Sequence, residues 1–253
     1  DVTAYEWVRS AGLVEGNTEV RITGGHILTN VYGGNEYTDI AGSCTIKMSG
    51  GTIGVPRTLN QIKNHPVTCY LFGGGKGDPR SHFNTWSNVG SVNIEVSGGV
   101  IFGSVFGGGE DGHVLANATV TIKANEEGDD NPVIGTWGTS YVDGNIFGGG
   151  RGFTGEALTA GVVSGNTTVN ISGGKMLGSI YGGGRLASVG TYLVPADDDN
   201  YGKLIPNGKN QVIGGEDVTA SGVTHGEVTI NISGGTIGNN HEFVIPSSTN
   251  TPT

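Results

Sequence analysis

The sequence is poor in cysteine, in basic residues and in long apolar runs, and each shortage excludes a class of protein. Two cysteines in 253 residues, Cys44 and Cys69, are too few for a disulfide framework and match no metal-binding spacing. No apolar run approaches the roughly 20 residues that a membrane-spanning helix requires. The balance of 13 basic against 23 acidic residues argues against binding to nucleic acid or to anionic membranes. The two cysteines could pair with each other or remain buried free thiols.

Glycine is in large excess, with 49 residues, and it recurs within a repeat. Five copies of a strand-like unit end in a Gly-Gly turn. They read EVRITGGHI (19–27), CTIKMSGGTI (44–53), VNIEVSGGVI (92–101), TVNISGGKM (168–176) and TINISGGTI (229–237). A further copy, TVTIKAN (119–125), keeps the alternation of apolar residues but lacks the turn. Alternation with a period of two residues is typical of a strand with one buried face.

A second repeated element consists of an aromatic residue followed by glycines. Its copies are VYGG (31–34), LFGGG (71–75), VFGGG (105–109), IFGGG (146–150) and IYGGG (180–184). Phe72 and Phe147 are 75 residues apart, and other equivalent positions recur at 74 or 75, so the chain holds about three double units. The third unit lacks its second aromatic element, and the chain starts at Asp1 without Met or signal peptide. Both features predict a piece of a longer polypeptide.

Units this short and rich in glycine cannot bury an apolar face alone, so we expect them to stack in register. Stacking predicts an all-β fold, a right-handed, single-stranded parallel β-helix of about six rungs with long loop insertions. At roughly 4.8 Å per rung its length would be about 29 Å. The right hand follows the general preference of parallel crossover connections. The alternative is an antiparallel sandwich with Gly-Gly hairpins, which would not require like residues to recur at such a constant spacing.

Three columns of like residues are expected in the core of the stack. The first is Ile22, Met48, Val96, Ile122, Ile171 and Ile232; the second is Ile27, Ile53, Ile101, Ile134, Met176 and Ile237; the aromatic third is Tyr32, Phe72, Phe106, Phe147 and Tyr181. The predicted organisation is an N-terminal cap or preceding rung at 1–18, the repeat domain at 19–245 and a Ser/Thr/Pro-rich linker or tail at 246–253.

The repeats resemble a known family. Their form, TVNISGG-x-x-x-G-S-I-Y-G-G-G, is similar over residues 19–238 to the glycine-rich β-helix repeats of adhesin-like surface proteins from anaerobic gut bacteria. The resemblance implies a bacterial protein that is secreted or held at the cell surface. It also implies a non-catalytic scaffold that binds a glycan or a surface protein of a host or bacterium through its insertions. It carries no catalytic residue to this chain.

The glycine runs differ from phosphate-binding loops. A P-loop needs Lys-Ser/Thr after its glycines and then a helix, and only Gly75-Lys76-Gly77 comes near this pattern. We therefore assign the glycines to rung corners, where positive φ is required and a side chain would collide with the next rung. No cofactor is expected, although acidic loops could hold a structural calcium ion. The acidic residues are Glu126, Glu127, Asp129, Asp130, Asp197, Asp198 and Asp199.

A carbohydrate-active enzyme, either a polysaccharide lyase or a glycoside hydrolase, is the main alternative function. Such chemistry needs carboxylates, or calcium with a basic residue, projecting into one groove. The outward column next to the core is instead mixed, with at most one cross-rung ion pair, Lys47 with Glu95. The column comprises Arg21, Lys47, Glu95, Thr121, Asn170 and Asn231. A third candidate is a phage-type receptor-binding fibre, which would be an obligate trimer with an apolar outer face.

Binding residues are expected in the insertions, because a regular scaffold presents its function on loops. Exposed aromatic side chains suit stacking on sugars or contact with proteins. The candidate binding residues are His82, Trp86, Trp137, Tyr141, Tyr192 and Tyr201. The competing interpretation is that these rings only pack the loops onto the coil.

Overall fold

A computed structural model describes residues 12–58, 60–61, 69–77, 87–125, 132–138, 142–152, 160–191, 211–213, 216–218 and 224–239. Apart from residues 60–61, which are helical, the elements within these ranges are β-strands, and most of them pair in parallel. The same ranges contain no helix of the length and apolarity needed to cross a membrane. The predicted N-terminal cap falls only partly within the described residues, and the predicted tail lies outside them.

The larger sheet is formed by the strand-like units, each paired in parallel with the unit of the next turn. Its strands are β1 (Thr18–Ile27), β3 (Ile40–Ile53), β5 (Val89–Ile101), β7 (Ala118–Ile122), β8 (Val133–Ile134), β10 (Thr167–Met176) and β16 (Val228–Ile237). One rung is split into β7 and β8, and both halves lie between β5 and β10. These four strands therefore form a closed cycle of pairings.

The aromatic-glycine segments form a second parallel sheet of two-residue strands. They are β2 (Val31–Tyr32), β4 (Leu71–Phe72), β6 (Val105–Phe106), β9 (Ile146–Phe147) and β11 (Ile180–Tyr181). A third line of single parallel bridges links Val89 to Val114 and Val114 to Val163. Two short antiparallel pairs lie late in the chain. They join β12 (Gly190–Thr191) to β15 (Thr224–His225) and β13 (Gln211–Ile213) to β14 (Glu216–Val218).

The structure confirms the predicted register of like residues. All six members of the first column lie opposite one another across successive strands, from Ile22 to Ile232. The second column runs in the same way from Ile27 to Ile237. The aromatic column is also in register, from Tyr32 to Tyr181. The alignment of the repeated motifs therefore predicted which residues lie opposite each other across the sheets.

The aromatic column lies outside the aliphatic core, contrary to the expectation that it forms a third column within it. In β6, Val105 packs into the aliphatic core, whereas Phe106 belongs to a separate aromatic cluster. Neighbouring residues of a strand point to opposite faces, so the valine turns inward and the ring outward. The Phe106 ring stacks on those of Phe72 and Phe147, with centroids 4.9 Å and 4.7 Å away. An aromatic stack therefore lines the outer face of the second sheet.

The glycine runs are required for close approach of the turns, and the predicted positive φ is wrong for them. Positive φ occurs instead at the second glycine of the Gly-Gly turns, for example 81° at Gly51 and 84° at Gly99. A Cβ atom on Gly108 would lie 2.5 Å from the backbone nitrogen of Gly150 in the next turn. The predicted collision with the next turn is thus confirmed for Gly108.

The outward polar column has the predicted register but not the predicted ion pair. Lys47 lies opposite Glu95; the Glu95 carboxylate, however, pairs with Lys123 at 2.9 Å. Farther along, the Asn231 amide donates to the Asn170 side-chain oxygen at 2.9 Å. Lys123 follows directly after β7, so it reaches Glu95 from the adjacent rung.

The last strand of the larger sheet is much less covered than the strands before it. Ile232 in β16 is 56% exposed, whereas Ile122, in the same column, is fully buried. The contribution of a repeated residue to stability therefore depends on its place along the stack.

Cys44 and Cys69 are both buried, and neither forms a disulfide. Burial raises the pKa of the Cys44 thiol, and the thiolate is the reactive form. We expect iodoacetamide to leave both thiols unmodified in the native protein near neutral pH. It should alkylate both in guanidinium chloride without a reductant, as counted by intact-mass spectrometry. Rapid alkylation of the native protein would contradict the burial, and an unreactive denatured protein would indicate a disulfide.

Candidate functional site

The structure describes one of the six predicted binding residues, Trp137. The others lie outside the described residues: His82, Trp86, Tyr141, Tyr192 and Tyr201. The acidic residues proposed for calcium, at 126–130 and 197–199, also lie outside them. In the part of the chain that is described, no three His, Cys, Asp or Glu side chains are grouped as metal ligands. The calcium prediction therefore stays untested.

Trp137 lies on a loop that a buried carboxylate holds in place. The loop follows β8, and three consecutive backbone N–H groups in it donate to Asp143. The donors are Thr136 at 2.7 Å, Trp137 at 2.7 Å and Gly138 at 2.9 Å. Gly138 supplies the positive φ that curls the loop around the carboxylate. Because Asp143 is fully buried, these bonds are shielded from water and fix the backbone beneath the indole.

The indole of Trp137 joins this loop to an earlier insertion. Its Nε1–H donates to the backbone oxygen of Arg57 at 2.6 Å, although the two residues are 80 positions apart. The side-chain amide of Asn239 donates to the backbone oxygen of Trp137. Trp137 is nevertheless 40% exposed. The ring is therefore held in position while part of its surface stays accessible to a ligand.

Arg57 and Tyr70 form an unusual buried pair close to this loop. Arg57 is 6% exposed and Tyr70 is fully buried. The guanidinium carbon lies 5.7 Å from the centroid of the Tyr70 ring, which is within the range of a cation–π contact. No hydrogen bond of good distance and angle is made within the described structure by the guanidinium nitrogens or by the Tyr70 hydroxyl. The guanidinium nevertheless lies close enough to the hydroxyl to interact with it. Burial raises the pKa of Tyr70, and the positive charge of Arg57 opposes that shift.

Tyr70 also belongs to the aromatic cluster on the outer face of the second sheet. Its ring packs edge-on against Phe72 and Phe106, with centroids 5.9 Å and 5.8 Å away. The backbone N–H of Tyr70 donates to the side-chain oxygen of Asn30 at 3.0 Å. The position of the hydroxyl is therefore set by the rigid stack below it.

A second polar group lies at the edge of the same stack. Arg151 Nη1 donates to Glu110 Oε1 at 2.7 Å, and both side chains are nearly buried. The Tyr32 hydroxyl donates to the other oxygen of Glu110 and accepts from the amide of Asn30 at 3.1 Å. Burial, and then the charge of Glu110, raise the pKa of Tyr32. Glu110 thus links the first turn to the fourth across the aromatic face.

Sequence reasoning missed these polar residues, although part of their signal is present in the repeat. The residue that follows the glycine run is charged in four copies: Lys76, Glu110, Arg151 and Arg185. Lys76 pairs with Glu36, and Glu110 pairs with Arg151. The repeat alignment could therefore have predicted that these four charged residues lie in one column, with the acidic Glu110 between basic neighbours. Arg57 and Tyr70 offered no such pattern, because they lie in an insertion that is not repeated.

The arrangement favours binding over proton transfer. The groups that converge near the aromatic face are arginines, a tyrosine and an exposed indole, which provide positive charge, a hydroxyl donor and an apolar surface. Such groups can bind an anionic or ring-shaped ligand. Glu110 is already engaged by Arg151 and Tyr32, so its oxygens have hydrogen-bond partners within the protein.

Comparison with known proteins identified no relative of this chain. No protein-family model matches the chain, and neither a curated protein nor a solved structure matches it.

Proposed function

We propose that the chain is a right-handed parallel β-helix that acts as a non-catalytic scaffold in a longer, secreted or surface-anchored bacterial protein. Parallel pairing of successive turns in register supports this architecture, and the hand follows the usual preference of parallel crossovers. The repeats supply a rigid, extended support. The insertions then contact a glycan or a surface protein.

The observation that carries the proposal is the presentation of Trp137. The indole is 40% exposed, yet Asp143 holds its backbone and the backbone oxygen of Arg57 accepts its N–H. A fixed aromatic surface loses little conformational entropy when a sugar ring stacks on it. This arrangement supports glycan binding at the loop. The outward face of the repeats, in contrast, is occupied by contacts between rungs, such as the Asn170–Asn231 hydrogen bond.

A glycan array probed with the purified protein tests this function, and Trp137→Ala provides the variant. We expect the variant to weaken the best array hits about tenfold, because it removes one aromatic contact. The matched control is Leu28→Ala, since Leu28 is also exposed but lies in the repeat. It should bind as the wild type does. Equal binding by all three proteins would contradict a role for Trp137.

The array also distinguishes the enzymatic alternative when the supernatant is analysed for released oligosaccharides. Binding without release supports the scaffold. Depolymerisation of a polysaccharide by the wild-type protein would overturn the non-catalytic assignment and favour a lyase or a hydrolase.

A further inference from the structure

The buried guanidinium of Arg57 lacks the partners that such a group normally has. Burying an ionised side chain is strongly unfavourable unless opposite charge or hydrogen bonds compensate for the lost water. Arg57 is 6% exposed, and within the described residues its Nε, Nη1 and Nη2 atoms make no hydrogen bond. The face of Tyr70 is its closest compensation. Its five N–H donors therefore have, at most, the Tyr70 hydroxyl beside them as an acceptor within the described residues.

The arginines around Tyr70 also leave positive charge without a negative partner. Arg57, Arg151 and Arg185 all act on the Tyr70 hydroxyl electrostatically. Arg151 is paired with Glu110, whereas Arg57 and Arg185 have no ionic partner within the described structure. Burial, and then repulsion from Arg151, lower the pKa of Arg185. A protein with a net charge of −10 thus concentrates unpaired positive charge at one place.

We propose that Arg57 and Tyr70 form a binding site for the carboxylate or sulfate group of an acidic saccharide. A guanidinium presents parallel N–H donors that match the two oxygens of such a group. The Tyr70 hydroxyl lies close to the guanidinium and is a further donor in the same place. The oxyanion neutralises the buried charge and accepts the hydrogen bonds that Arg57 cannot make within the protein.

The assignment to a saccharide rests on the proposed function and on Trp137. The indole N–H is bound to the backbone oxygen of Arg57, so the exposed ring is fixed directly beside the arginine segment. An acidic sugar offers an oxyanion and an apolar ring face on adjacent atoms, which suits a guanidinium and an indole side by side. An acidic peptide would supply acceptors for the guanidinium, but it has no sugar ring that can stack on the fixed indole.

Calorimetric titration of the folded protein tests the site with defined probes. The probes are a galacturonate tetrasaccharide for carboxylate, a carrageenan-derived tetrasaccharide, which carries sulfate but no carboxylate, for sulfate, and cellotetraose as a neutral saccharide. An Asp/Glu-rich peptide is the fourth probe. We expect at least one acidic saccharide to bind, and Arg57→Met to weaken it about thirtyfold, as loss of charge-assisted hydrogen bonds predicts. The difference between the carboxylate and sulfate probes identifies the anion.

Two further variants make the test specific. Tyr70→Phe keeps the ring in the aromatic cluster and removes only the hydroxyl, so it should fold and weaken the acidic saccharide several-fold. Arg21→Met is the matched control, because Arg21 is an exposed arginine on β1; its affinity should equal that of the wild type. If Arg57→Met does not fold, Tyr70→Phe still decides the outcome.

The results separate this site from the proposed function. Acidic saccharide binding that both Arg57→Met and Tyr70→Phe leave unchanged would overturn the site. Binding of cellotetraose alone would also overturn it while leaving glycan binding intact. Binding of the acidic peptide without any saccharide would overturn the saccharide assignment together with the glycan-binding function.

Discussion

Replacing Gly108 with alanine is expected to destabilise the protein by about 3 kcal/mol or more, whereas the same change at Gly183 should cost less than about 0.5 kcal/mol. The two glycines occupy the same place in the motif, as the second glycine after the aromatic strand. Neither has positive φ. The difference between them is therefore the space available and not the local backbone conformation.

The atoms around the two positions explain the expected contrast. A Cβ atom on Gly108 would lie 2.5 Å from the backbone nitrogen and 2.7 Å from the Cα atom of Gly150, and backbone atoms cannot turn aside as a side chain can. At Gly183 an added Cβ atom would meet nothing within 4 Å. The alanine at 183 also restricts the unfolded chain, which partly offsets any cost.

Chemical denaturation of both variants, followed by far-UV circular dichroism, measures this difference. Similar losses at Gly108 and Gly183 would show that the glycines serve local conformation and that the close approach of the turns is not the constraint. An unchanged stability of Gly108→Ala would contradict the spacing of the second sheet.

Truncating the central ring of the aromatic stack is the second change with a large expected effect. Phe106→Ala should cost about 3–5 kcal/mol, because it removes a fully buried ring and leaves a cavity. The ring is stacked between Phe72 and Phe147 and receives the edge of Tyr70. Loss of this ring therefore removes contacts with the two neighbouring turns and with Tyr70, whose ring faces Arg57.

Tyr181→Ala is the matched control for this change. Tyr181 belongs to the same column and stacks on Phe147 with a centroid distance of 4.8 Å, but it is 43% exposed. We expect a loss of about 1 kcal/mol, because less apolar surface leaves water when this ring packs. The comparison uses the same denaturation measurement. A loss at Tyr181 as large as that at Phe106 would contradict the view that the stack gains its stability from its interior.

Unfolding of a stack of repeats need not be a single transition, since each turn contacts mainly its neighbours. Residues at an end can fray while the middle persists. Tryptophan fluorescence and circular dichroism should therefore be compared in each experiment. If the two unfolding curves coincide, unfolding is a single transition and the free energies given above apply. If they separate, the loss of stability belongs to one part of the stack.

The sequence predicted the structure of the repeats much better than that of the insertions. The alignment of the repeated motifs placed Ile22 opposite Met48 and Phe72 opposite Phe106, because stacking in register leaves few alternatives. The same logic, applied to alternate residues, would have placed the rings outside: if Val105 points inward, Phe106 cannot. That error came from assigning every apolar column to one core.

The insertions gave no comparable information because nothing in the chain repeats them. Trp137 was predicted as a binding residue from its type and its place in an insertion, and the structure shows it partly exposed; its role stays a prediction. The burial of Arg57 depends on contacts with Tyr70 and Trp137, which are distant in the sequence. A charged residue in an insertion is expected to be solvated, so its burial could not be predicted from composition.

The split rung has a practical consequence. β7 ends at Ile122 and β8 begins at Val133, yet each of them pairs with both β5 and β10. We therefore expect the neighbouring turns to hold the two halves of the rung in register without a continuous strand between them. The position between β7 and β8 is accordingly the one at which we expect two gene fragments to reassemble, or an inserted reporter domain to be tolerated.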